Sequence, residues 1–230
     1  MSDVAISSPA PMPLPRRIIG IFTAPRAVFE YLRESPRALG AMVVVCVVAL
    51  LATVPLTKII IQDQVEKMQA KPNMTPEAIA KATGVMNVTV PIFAVLGNVV
   101  IIVVLAGLYL FLANIILGGA TNYKKMLAGV AHVSLIGILS SIVRVPLILA
   151  KGTSDVTLSP AIFLPSESHN TFLYHLLSQC DLFVIWMLGL AALAISVLAG
   201  VPTKKATTAV VILWVILAPI FALFQTKFGS

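Results

Sequence analysis

The segment "SSIVRVPLIL", residues 140 to 149, sets the cation Arg144 inside a run of apolar residues. A guanidinium carried to the centre of a bilayer costs at least ~2.5 kcal/mol, so it needs a partner or a wet path. In "SQCDLFVIW", Asp181 stands at the head of a second apolar run. Two consecutive antiparallel helices would bring these charges to similar depth. The chemistry that fits first is a structural ion pair, Arg144–Asp181, holding two helices in register. Such a pair adds little net stability, but removing either partner strands the other charge. The sharper alternative is a proton or substrate pathway, because His132, Ser140 and Arg144 share one broad stripe with Gly129 and Gly137. His169 and His175 are six residues apart and do not share a helical face, so no metal site is expected there. There is no HExxH, G-x-S-x-G, Walker loop or C-x-x-C. No catalytic residue and no cofactor is assigned, and the chain is expected not to be an enzyme.

The elements that must hold these charges follow from composition. Hydrophobic residues make up 59% of the chain and charged ones 11%, far below the quarter typical of soluble domains. No Asp, Glu, Lys or Arg occurs from Ala82 to Tyr123, well beyond the roughly 20 apolar residues that cross a membrane. The expected fold is all-α, a polytopic bundle with five transmembrane helices over 38–57, 91–118, 126–150, 182–201 and 206–226. Around this domain, 38–226, the organisation expected is a disordered tail 1–15, an amphipathic helix within 16–37 and an outer tail 227–230. Each loop is shorter than the ~40 residues at which a lone domain begins to fold, which leaves no soluble catalytic domain. The first span reads as an uncleaved anchor, since "ALLATVPLT" is a poor cleavage site. Cys46 falls mid-span and Cys180 at a boundary, so their depths argue against a disulfide.

Orientation follows the Lys and Arg bias of the short flanks. The tail before the first span, "GATNYKK" and "PTKK" lie on one side and carry nine basic residues against three acids, a net +6. Six lysines balance six acids on the other side, and every arginine except Arg144 belongs to the basic one. That side is expected to be the cytoplasm, with the amino terminus inside and the carboxyl terminus outside. The basic excess is a topology signal and implies no nucleic acid.

In "TAPRAVFEYLRESP" a helix is expected to start near Thr23 and Pro25 and to stop at Pro36. At 100° per residue, Val28, Phe29, Tyr31 and Leu32 share one face, while Arg26, Glu30, Arg33 and Arg37 share the other. Such a helix either lies among the headgroups, its arginines on anionic lipid, or docks on the bundle as a cap. Arg26, Arg33 and Arg37, with Lys124, Lys125, Lys204 and Lys205, form the candidate contact for anionic headgroups at the cytoplasmic face. A membrane-protein partner or a second copy of the chain is the other candidate. In the outer loop, "KIIIQDQVEKMQAK" prolongs the first span to Pro72, and Thr75 caps a short helix that Gly84 stops. Asn98 and Asn114 are expected to bond between helices, and Gly189, Ala192, Ser196 and Gly200 to let helices approach closely.

Three blocks carry a family resemblance: "IIGIFTAPRAVFEYLRESP", "GGATNYKKMLAGVAHVSL" and "DLFVIWMLGLAALAISVLAGVPTKKATTAVVILWVI". In order and spacing they resemble bacterial members of the Yip domain family, whose eukaryotic relatives interact with Rab-type GTPases. The resemblance runs from about Ile18 to Phe224. It implies a five-span bundle with a cytoplasmic amino terminus and a membrane-organising or adaptor role, with a small transporter or channel-like subunit as the alternative. The tail lacks the Asp-Leu-Tyr-Gly-Pro motif of eukaryotic members, which argues against binding of a small GTPase.

Overall fold

The structure, a computed structural model, describes residues 11–70 and 73–228. Most of the expected disordered tail, the Pro72 stop and the last two residues lie outside these. Nine α-helices and no strand occur among the described residues. Five helical segments are long and apolar enough to cross a membrane: Leu39–Gln69, Pro76–Ile116, Tyr123–Lys151, Leu182–Ala199 and Thr203–Lys227. The fold is thus the all-helical, five-span one that the composition demands.

Proline punctuates the head of the chain. Helix α1, Leu14–Thr23, has proline in its first turn, where a missing N–H costs nothing. It ends because a residue before proline is driven out of the helical region: Ala24, ahead of Pro25, sits at φ −146° and ψ 59°. Helix α2, Pro25–Glu34, then starts on Pro25 and stops just before Pro36. The amphipathic segment is therefore two short helices with a corner between them. Its apolar face is spent on the bundle: Ile21, Val28, Phe29 and Leu32 are fully buried. Of the two arrangements open to this segment, the docked cap is the one formed.

Helix α3, Leu39–Gln69, and helix α4, Pro76–Phe111, form a long antiparallel pair. At 1.5 Å per residue, α3 is ~46 Å long and overshoots a hydrocarbon core of ~30 Å. Thr75 caps α4 by accepting the Ala78 N–H at 3.2 Å. Gly84 does not stop this helix, which runs on through Pro91. A helical glycine costs only about 1 kcal/mol, and packing against α3 outweighs it. After α4 the chain widens into a π-helical turn, Leu112–Ile116.

The third span is two helices, α5 (Tyr123–Val133) and α6 (Ile136–Lys151), separated by a tightened turn at Ser134–Leu135. A short helix α7, Phe172–Ser178, precedes α8, Leu182–Ala199, and α9, Thr203–Phe228. Helix α8 is the hub: 56% of its span is buried, against 17–28% for the other four. It packs on α2, α5, α6 and α9. Helix α5 approaches it through Gly129, where a Cβ would stand 2.6 Å from a Leu198 methyl. The outward faces are apolar, with Val100, Val104, Ile212 and Ile216 exposed, which is what a lipid-facing surface requires.

Candidate functional site

Three polar assemblies interrupt the apolar bundle. The first joins α6 to α8. Asp181 is the N-cap of α8 and accepts the Phe183 N–H through Oδ1 at 2.8 Å. Its other oxygen accepts from Arg144 Nη2 at 2.5 Å. The carboxylate is buried, its side chain 3% exposed, whereas the Arg144 side chain is 37% exposed. The arginine is thus only partly covered, while its Nε is buried without a hydrogen-bond partner.

The second assembly ties the cap to the third span and involves a residue that charge counting treats only as a topology marker. Arg17, on the same face of α1 as Ile21, is 5% exposed. Its Nη1 donates to the Arg37 carbonyl at 3.1 Å and lies 3.4 Å from His132 Nε2. His132 is fully buried, and its Nδ1 lies 2.8 Å from the Ala128 carbonyl. A carbonyl only accepts, so Nδ1 carries the proton and Nε2 offers its lone pair to the guanidinium. One arginine thereby joins α1, the approach to α3 and α5. Burial pulls the Arg17 guanidinium below its ordinary value, with Arg37 adding to the effect and Tyr31 opposing it. Its Nε is also buried without a partner. The one trace of this site in the sequence is the four-residue spacing of Arg17 and Ile21, which becomes a shared face only once a helix begins at Leu14.

His132, Ser140 and Arg144 therefore face three different surroundings. His132 meets Arg17, and Arg144 meets Asp181. Ser140 lines a cavity of about 170 Å³ shared with Asn98, Ser134 and Ser141. Asn98 donates to Ala94 within its own helix, and Asn114 binds the Thr121 backbone through both side-chain atoms. Neither joins two spans; Asn114 sits in the π turn and pins the loop that follows it. Of the small residues on α8, Ala192 and Ser196 are buried, Gly189 is exposed with open space around it, and Gly200 is the left-handed C-cap at φ 71°. A helix end of this kind needs a residue without a Cβ, which accounts for Gly200 without helix packing. Ser196 instead donates to the Val201 carbonyl at 2.7 Å and meets the Thr203 hydroxyl at 2.8 Å, fixing the turn into α9.

The third assembly lies at the opposite end of the bundle. Asp155 binds both the Tyr174 hydroxyl and His169 Nδ1. Asp63, on the far end of α3, accepts from the Ser154 N–H at 2.6 Å. Burial and then Asp155 raise the Tyr174 phenol above its ordinary value. At the basic end, Arg26, Arg33, Arg37, Lys124, Lys204 and Lys205 are all exposed. Arg26 pairs with Glu30 one turn away.

Comparison with known proteins agrees with this architecture. The Yip1 domain matches residues 19–224. The protein "Membrane protein YknW" of Bacillus subtilis (strain 168) is 27% identical over 224 residues, covering 93% of this chain and 91% of its own length. No solved structure matches the chain. With five apolar spans, a docked amino-terminal cap and a match over nearly all its length, the chain belongs to the Yip1 domain family of multi-pass membrane proteins.

Proposed function

We propose that the chain is a non-enzymatic inner-membrane protein of a bacterium, its amino terminus in the cytoplasm, acting as a membrane-organising component or adaptor. The observation that carries this reading is how the cap is used. Its apolar face is consumed by α5 and α8, so what it turns outward is Arg26, Arg33 and Arg37. Lys124, Lys204 and Lys205 head α5 and α9 at the same end. A fixed cationic platform of this kind suits anionic headgroups or the acidic surface of a membrane partner. The +6 bias of these segments supports the orientation. The test is to replace Arg26, Arg33 and Arg37 together by glutamine in the full-length protein. Cross-linking from the cap to a defined partner, or retention on anionic nanodiscs, is expected to drop while the protein stays folded; unchanged values on both would refute the platform.

A small transporter or channel-like subunit is the second reading, favoured by the polar cavity at Ser140. It requires water to reach Arg144, so Ser140→Cys would react with a charged thiol reagent in intact membranes. The adaptor reading expects that cysteine to stay protected.

A further inference from the structure

Helix α9 leans on α7 and α8, and a groove of about 640 Å³ is left between it and α4. One wall is Leu108, Leu112 and Ile116; the other is Ala209, Ile212 and Ile216. The π turn supplies two of these residues, and such turns recur where helices build sites rather than merely pack. At the basic end the groove is lined by Lys204 and Lys205, and neither pairs with a carboxylate among the described residues. From Lys204 to Ile216 is twelve residues, ~18 Å of helix rise, somewhat more than half of a ~30 Å hydrocarbon core. At Leu213 the groove meets a narrower crevice of about 200 Å³ between α4, α5, α8 and α9.

From this we infer that the α4–α9 groove is a binding site for one anionic phospholipid, its phosphate on Lys204 and Lys205 and an acyl chain along the apolar walls toward Leu213. Charge and depth together select this occupant. A partner helix would fill the apolar part but leave two cations at the mouth without a counter-charge. A zwitterionic lipid would offer the same tails and a headgroup with no net negative charge. The inference rests on the reading of this end as the face that meets anionic headgroups, and it adds a single saturable site to that diffuse attraction.

The test uses the full-length protein, delipidated in detergent and titrated with phosphatidylglycerol or phosphatidylethanolamine, with bound lipids counted by native mass spectrometry. Wild type is expected to hold one phosphatidylglycerol in preference to phosphatidylethanolamine. Lys204→Gln with Lys205→Gln should weaken that binding roughly tenfold or more, given the attraction each basic residue exerts on anionic lipid. Ala209→Trp, which fills the groove without touching charge, should abolish the single bound lipid; the lysine pair, being exposed, guards against a variant that fails to fold. Equal binding of both lipids, or binding unchanged in both groove variants, overturns the site. If neutralising Arg26, Arg33 and Arg37 removes the bound lipid while the groove variants keep it, the cationic platform stands and the groove proposal falls.

Discussion

Arg144 Nη2 stands 2.5 Å from Asp181 Oδ2, and the other oxygen of that carboxylate caps the helix that Asp181 begins. One side chain thus does two things: it satisfies an orphan N–H at the start of α8 and neutralises the cation on α6. The two roles come apart on mutation, because asparagine can still cap a helix but carries no charge.

Asp181→Asn should therefore report on the contact with Arg144 and not on the cap. The single acceptor oxygen of asparagine can keep the Phe183 N–H, while its NH2 offers the guanidinium no acceptor. It is expected to destabilise the detergent-solubilised protein by about 1.5–3 kcal/mol, the range of a hydrogen bond to a charged group. Arg144→Gln should cost a similar amount, and the double variant less than the sum of the two. Thermal unfolding of all four proteins closes the cycle, and strictly additive losses would show that the contact carries no coupling.

Removing Arg17 should release the cap. In Arg17→Gln the Arg37 carbonyl and His132 Nε2 both lose a cationic donor. Amide exchange in α2 is expected to speed up while α8 stays protected, as local opening requires. His132→Leu should loosen the same helix, since it leaves a buried guanidinium facing hydrocarbon. Equal protection of α2 in wild type and both variants would count against a latch.

At Gly129, α5 lies directly against Leu198 and Ala194 of α8, with no room for a side chain. Gly129→Val is expected to cost about 1–3 kcal/mol through overpacking against Leu198. Gly189→Val, on the same scale, should change little, because that position opens outward. A melting comparison of the two variants distinguishes packing glycines from lipid-facing ones.

Acid should loosen the loop that holds α7. Burial, and next Lys67, depress His175, with Asp155 acting the other way. Its folded value therefore lies below the ordinary ~6.5, and its contribution is complete above that pH. As pH falls through and below that value the unfolded chain binds the proton first, so stability is lost. Proteolysis of the 151–181 loop at pH 7.5 and pH 5 should show faster cleavage in acid. His175→Gln should flatten the difference.

How much of this was legible beforehand differs by element. The five spans follow from continuous apolar runs, since hydrocarbon tolerates no unpaired backbone and an unbroken apolar run of about 20 residues satisfies it as a helix, where a barrel strand would alternate. Arg144 and Asp181 drew notice for the same reason, as charges where charge is costly. Arg17 did not stand out, because an arginine near a membrane surface is ordinary and only its docking against His132 makes it buried. Gly84 looked like a helix stop, and the missing information was that α3 extends alongside to support a continuing helix.

The sequence by itself determined what local chemistry can determine: which segments cross, where Pro25 and Pro36 start and stop the amphipathic helix, and which end collects the cations. Tertiary structure alone decided which faces are shared. Whether the cap lies on lipid or on protein, which glycine admits a neighbouring helix, and where a groove is left open between α4 and α9 all depend on helices remote in the chain. Burial is a property of pairs of surfaces, and a single strand of residues names only one member of each pair.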